Sequence, residues 1–102
     1  MKKFAITDNK GFCMTFENGL TASVHWGIGN YCENRLTKPP FAIYEDTESN
    51  NASVAVYDKY GSMLYVDRFL PDGCENDGEV AGWLSPEQIV EFLANVKNYK
   101  ED

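Results

Sequence analysis

The stretch from Gly11 to Trp26, Gly-Phe-Cys-Met-Thr-Phe-Glu-Asn-Gly-Leu-Thr-Ala-Ser-Val-His-Trp, restricts the fold more tightly than any other part of the chain. Phe12, Met14 and Phe16 alternate with smaller or polar residues, and Leu20, Ala22, Val24 and Trp26 do the same. A period of two is the pattern of strands with one face buried. Asn-Gly between two such runs marks a chain reversal. The register follows from the same residues. A two-residue Asn18-Gly19 loop would pair Phe16 with Thr21 and send the two apolar sets to opposite faces. A three-residue loop, Glu17-Asn18-Gly19, pairs Phe16 with Leu20, Met14 with Ala22 and Phe12 with Val24. All the large apolar side chains then share one face, and Gly19 takes the left-handed position of a bulged turn. The three-residue loop is the expected one.

The device recurs between Asn51 and Arg68. A loop of Lys59-Tyr60-Gly61 would pair Val56 with Leu64 and Val54 with Val66 on an aliphatic face. Tyr57 would then meet Met63, and Ala55 would meet Tyr65, on an aromatic and amphipathic one. The last element is a helix whose start is spelled out. Ser85 is a good N-cap, Pro86 suits the first helical position, and Gln88 completes a capping box. Leu84 and Ile89 occupy the hydrophobic-staple positions, and Ile89, Phe92, Leu93, Val96 and Tyr99 form a stripe at helical spacing that reads as core. Residues 3–7 and Val80-Ala81-Gly82-Trp83-Leu84 read as further short strands, as does Phe41-Ala42-Ile43-Tyr44. The expected fold is a single α+β domain over residues 1–102, with a mostly antiparallel sheet of two hairpins and short edge strands covered by one C-terminal helix.

Sixteen acidic and nine basic side chains give 102 residues a formal charge of −7. That balance argues against direct binding of duplex nucleic acid, which needs a basic face, and against an anionic membrane surface. The opening Met1-Lys2-Lys3-Phe4-Ala5-Ile6 is too short for the apolar core of a signal peptide. Cys13, Cys32 and Cys74 are odd in number and lack the spacing of zinc ligands, so they read as thiols of a reducing cytosol.

Thr15-Phe16-Glu17-Asn18-Gly19, followed by Ser23-Val24 and Gly27-Ile28-Gly29-Asn30-Tyr31-Cys32-Glu33-Asn34, resembles a motif of small proteins encoded by tailed phages and prophages, close to T-F-x-N-G-x-T-x-S-V-x-x-G-x-G-N-Y-C-x-N. Ala52-Ser53-Val54-Ala55-Val56 and Val80-Ala81-Gly82-Trp83-Leu84-Ser85-Pro86-Glu87 resemble downstream segments of the same proteins, whereas His25 departs from the pattern. The resemblance implies a phage origin and a role in the host cytoplasm other than building the virion, with counter-defence as one form of it. It implies no particular chemistry.

Chemistry must come from the residues. His25 is the chain's one histidine, and in the register above it is a diagonal neighbour of Cys13. A thiol–imidazole nucleophile is formally available, but a solvent-facing histidine beside a small thiol is the plainer reading. Asp72, Glu75, Asp77 and Glu79 surround two glycines yet miss the ligand positions of a calcium loop. No metal, cofactor or catalytic set is expected.

The strongest binding candidate is the segment 26–38. Gly27 and Gly29 permit close backbone approach, Trp26 and Tyr31 offer stacking faces, Asn30 and Asn34 offer amide edges, and Arg35 and Lys38 offer positive charge. That inventory suits a nucleotide-like ligand, with its base on a ring and its phosphate on arginine. A homo-oligomer would deepen a pocket built on so few residues. The rival candidate is the charge itself. Glu45, Asp46, Glu48, Asp72, Glu75, Asp77 and Glu79 form two acidic stretches that could imitate a phosphate backbone or occupy the basic groove of a host protein such as a nuclease. The expected protein is thus a non-enzymatic phage accessory that sequesters a nucleotide-type host signal, or else an acidic inhibitor or DNA mimic.

Overall fold

The computed structural model describes residues 3–6, 10–26 and 49–100. Within them six strands, β1 (Phe4–Ile6), β2 (Gly11–Thr15), β3 (Thr21–His25), β4 (Ala52–Tyr57), β5 (Glu75–Asn76) and β6 (Ala81–Leu84), form one sheet in the order β1-β2-β3-β4-β6-β5. Every neighbouring pair is antiparallel. Among the described residues a single helix, α1 (Pro86–Asn98), packs on one face, and a 3-10 turn at Asp67–Phe69 lies beside it. This is an α+β fold with a C-terminal helix. The expected strand at 41–44 lies outside the described residues.

The first ribbon forms in the register its alternation demands. Phe12 pairs with Val24, Cys13 with Ser23 and Met14 with Ala22, and the Phe16 N–H donates to Leu20 O at 2.9 Å. Gly19 turns the chain at φ 90°, where a Cβ would be strained. Gly11 is needed for a different reason: a Cβ there would collide with the carbonyl oxygen of Val24 on the neighbouring strand.

The second ribbon starts as expected and then departs. Its turn forms, with Asp58 N–H donating to Ser62 O at 2.9 Å and Leu64 N–H donating to Val56 O at 2.8 Å, and Tyr57 pairs with Met63. The expected Val54–Val66 and Ala55–Tyr65 pairs do not form. Val54 pairs instead with Ala81 of β6, while Val66 N–H donates to Gly78 O at 2.8 Å. The alternation correctly marked Val66 as an inward residue, since it is fully buried. Burial, however, does not specify the strand partner. Leaving the ladder after Leu64 lets the chain turn through the 3-10 segment and bury Phe69 completely, with its carbonyl accepting from Asn95 Nδ2 at 2.9 Å.

The core lies between α1 and the sheet face that carries Ala22, Val24, Val54 and Val56, all at 2% exposure or less. Helix residues Phe92 and Val96 are fully buried against it, with Ile89, Leu93 and Tyr99 around them. The start of α1 is capped as the sequence specifies. Gln88 N–H donates to Ser85 Oγ at 3.2 Å, and Ser85 N–H donates back to Gln88 Oε1 at 2.8 Å. Its end is capped by a residue from the far end of the chain. Asn18 Nδ2 donates to Val96 O at 2.8 Å and also lies 3.3 Å from Lys97 O and 3.1 Å from Tyr99 O. The same side chain accepts from Leu20 N–H through Oδ1 at 3.0 Å. One carboxamide therefore shapes the first turn and satisfies the orphan carbonyls of the last helix.

Two substitutions test this architecture by urea denaturation. Phe92→Ala leaves a cavity at the centre of the helix–sheet interface, and a loss of about 3–5 kcal/mol is expected. Asn18→Ala uncaps the helix and loosens the turn together, with an expected loss of about 1–3 kcal/mol. A loss near zero for Asn18→Ala would show that the turn–helix link contributes nothing to stability.

Candidate functional site

Of the 26–38 segment, only Trp26 lies among the described residues. It follows β3 directly, its N–H donates to Lys10 O at 2.8 Å, and it is half-buried against the edge of the core. Trp26 thus packs inward at least in part. Gly27, Gly29, Asn30, Tyr31, Asn34, Arg35 and Lys38 lie outside the described residues, as do Glu45, Asp46 and Glu48.

The register of β2, β3 and β4 builds a surface on the side of the sheet away from α1. Alternate residues there are Gly11, Cys13 and Thr15, then Thr21, Ser23 and His25, then Ser53, Ala55 and Tyr57. Part of this side bounds an open trough of about 640 Å³. Cys13, Thr15, Thr21, Ser23, His25 and Tyr57 line it, and Lys59 stands at its turn end. The hydroxyls partner one another: Thr15 Oγ1 and Thr21 Oγ1 are 2.8 Å apart.

His25 closes the other end of the trough. It is half-buried rather than solvent-facing as expected, because it sits between Gly11 and Ser53 on flanking strands. Ser23 Oγ lies 3.0 Å from both ring nitrogens, so the hydroxyl has a partner in either tautomer. Burial lowers the pKa of the ring below its ordinary value, so the neutral imidazole is favoured. The register confirms Cys13 as a diagonal neighbour of His25. Ser23 itself is 1% exposed, which suits a structural hydroxyl better than a nucleophile.

The second acidic stretch holds together at the opposite edge of the sheet. Asp72, Glu75, Asp77 and Glu79 are all exposed. Sequence reading leaves this stretch as loop, but Glu75 and Asn76 form β5, the last strand of the sheet. Asp77 Oδ1 accepts from Val80 N–H at 2.9 Å and Asn76 Oδ1 accepts from Gly78 N–H at 3.0 Å, which fixes the turn between β5 and β6. Beside it, β6 carries a bulge: two residues separate Ala81 from Leu84, whereas one separates their partners Val54 and Ala52. Trp83 occupies that bulge at φ 58°, a conformation costing a bulky residue about 1–3 kcal/mol. Its ring is consequently re-aimed outward at 45% exposure. Glu75, Asp77 and Trp83 line a shallow hollow of about 200 Å³.

Among the described residues there is no cluster of three or more His, Cys, Asp and Glu side chains able to hold a metal ion. Cys74 has its pKa raised by burial and by the carboxylate of Glu91, which suppresses the reactive thiolate. No helix among the described residues is long and apolar enough to cross a membrane. Sequence reading missed the trough, although its signal was present. The outward members of β2 and β3 are mostly small, and Cys13, Thr15, Thr21 and Ser23 among them line it.

Antiparallel pairing throughout the sheet and a C-terminal helix packed on it define an α+β domain. The chain matches no protein-family model, no curated protein and no solved structure.

The state of His25 has a measurable consequence. Its folded pKa is lower than its unfolded one, so near pH 6.5 the unfolded chain binds more protons than the native one. Stability is therefore greatest above the unfolded value, falls as pH drops through it, and levels off below the folded pKa. Urea midpoints taken at about pH 7.5 and about pH 5.5 should decrease in wild type, and the decrease should shrink in His25→Gln. An equal decrease in both proteins would remove His25 from that account.

Proposed function

We propose that this chain is a non-catalytic binding protein of phage origin that captures a small nucleotide-type signal in the host cytoplasm, using residues 26–38. The observation that carries this reading is the trough. A concavity lined by β2, β3 and the end of β4 reaches His25, which immediately precedes Trp26 and the segment with the stacking, amide and arginine groups. A ligand held in this concavity would have hydroxyls, an imidazole and a phenol beside it. Such groups recognise sugar and base edges by hydrogen bonding. The likeness of the first ribbon to tailed-phage proteins supports the origin. The non-catalytic part is supported by the burial of Ser23 and by the single histidine.

Calorimetric titration against a panel of mononucleotides, dinucleotides and cyclic nucleotides tests the reading. At least one member should bind with a Kd of about 1 μM or tighter, and Tyr31→Ala or Arg35→Ala should weaken it about tenfold or more. Silence across the whole panel would dispose of the nucleotide reading.

A second reading has its own observation. Asp72, Glu75, Asp77 and Glu79 are exposed around the edge strand β5, next to the outward-turned Trp83. Carboxylates ringing an aromatic anchor suit the basic groove of a host nuclease or defence protein. Under this reading, reversing the four charges to lysine abolishes inhibition of the target, while Tyr31→Ala has no effect. The opposite pattern would favour the nucleotide.

A further inference from the structure

At the end of the sheet remote from Trp26, the turns at residues 17–19 and 59–61 lie beside the C-terminal end of α1. Between them is a cleft of about 300 Å³, lined among others by Asn18, Lys59, Tyr60, Arg68, Tyr99 and Lys100. We propose that this cleft is a second binding site, for a nucleoside phosphate whose phosphates lie among Lys59, Arg68 and Lys100 and whose base stacks on Tyr60. It goes beyond the function proposed above and shares no residue with segment 26–38.

Charge is the first support. The whole chain carries −7, yet three of the six Lys and Arg side chains among the described residues converge on this one cleft. None of the three forms an ion pair with a described carboxylate. Asp58 also lines the cleft, but its Oδ1 accepts from Tyr60 N–H and Ser62 N–H, both at 2.9 Å, so it is committed to the turn. The helix end would ordinarily add negative potential through its bare carbonyls. Here Asn18 Nδ2 covers the carbonyls of Val96, Lys97 and Tyr99. What remains is a local excess of unpaired positive charge on an acidic protein.

The shape and the rings are the second support. Arg68 donates to Tyr99 Oη at 3.2 Å, and its guanidinium lies 5.9 Å from the centroid of that ring. Tyr99 in turn meets Phe69 edge-on at 5.0 Å. The guanidinium is thus held in place by packing on the core, with further N–H donors left for an anion. Tyr60 is the opposite case. Its ring is 81% exposed, with Lys59 Nζ 5.2 Å from its centroid. A positioned arginine, two exposed ammonium groups and an exposed aromatic plane are the parts that hold a phosphate and stack a base. A volume at the lower end of ordinary ligand pockets suits one base and its phosphates rather than a larger molecule.

The test uses the full chain labelled with 15N, titrated with ADP and, as a control, with adenosine. ADP should shift the amide signals of Gly19, Tyr60 and Lys100, adenosine should bind at least about tenfold more weakly, and added salt should weaken ADP. Lys59→Gln combined with Lys100→Gln should lower ADP affinity about tenfold or more, and Tyr60→Ala about fivefold. All three side chains are exposed, and an unchanged spectrum of the unliganded variants establishes that they fold. Arg35→Ala should leave ADP binding at these signals intact. Three results would overturn the proposal: no shift at the cleft with ADP, equal ADP affinity in the double variant, or adenosine binding as tightly as ADP. ADP binding that is lost in Arg35→Ala and kept in the cleft variants would support the 26–38 site and refute this one.

Discussion

The pairing of β3 with β4 is the constraint on which the rest of the molecule depends. Five positions match across it, from Thr21 opposite Tyr57 to His25 opposite Ser53. Residues 21–24 and 52–56 are buried, so their backbone groups must be bonded along both edges. That requirement calls in β2 on one side. On the other side it calls in β6 and the segment that follows the 59–61 turn. The apolar members of the same ladder, Ala22 with Val56 and Val24 with Val54, give α1 its floor. Pairing strands so far apart in sequence costs loop-closure entropy, which the buried aliphatic face must offset.

The two faces of this ladder differ in purpose because they differ in side-chain size. Toward α1, valines, leucines and phenylalanines interdigitate and leave no room. Away from it the side chains are mostly serine, threonine and alanine, and Ser23, Ser53 and Ala55 are buried there as well. On this side Tyr57 and His25 are the large members of the three strands, and both line the trough. The charged groups are segregated as well. Carboxylates gather at the β5 edge, and unpaired cations gather at the helix end, so the two poles of the sheet present opposite chemistry.

Much of this was legible in the primary structure, and the parts that were not share a cause. The first ribbon could be read to the residue because Asn18-Gly19 and the alternation around it are local signals that agree. The helix start was legible for the same reason, through Ser85, Pro86 and Gln88. By contrast, Val66 carries the right polarity for the expected ladder and still pairs elsewhere. Hydrophobic pattern specifies a face, while partner choice depends on what Phe69 and β6 do with the remaining space. Trp83 gave no warning either, since nothing about a tryptophan in a strand announces a left-handed backbone. The cleft at the helix end was invisible because Lys59, Arg68 and Lys100 are dispersed along the chain and meet only through the turn–helix contact. Of the 26–38 site, composition supplied an inventory of groups, and only Trp26 has a described place.

Asn18 gives the molecule a form of chemical ageing. An asparagine before glycine loses its side-chain nitrogen when the following backbone nitrogen attacks the amide carbon and closes a succinimide ring. In the native fold that nitrogen is occupied, because Gly19 N–H donates to Phe16 O at 3.0 Å, and both ends of the carboxamide are held by hydrogen bonds. Folding therefore shelters the bond, and the unfolded chain leaves it open to attack. The damage would also persist, because hydrolysis of the ring leaves a carboxylate facing the carbonyl oxygens of Val96, Lys97 and Tyr99, where it repels what the amide had bound. Time spent unfolded is thus recorded at one position, and chains that carry the mark are those least able to close the turn against the helix again.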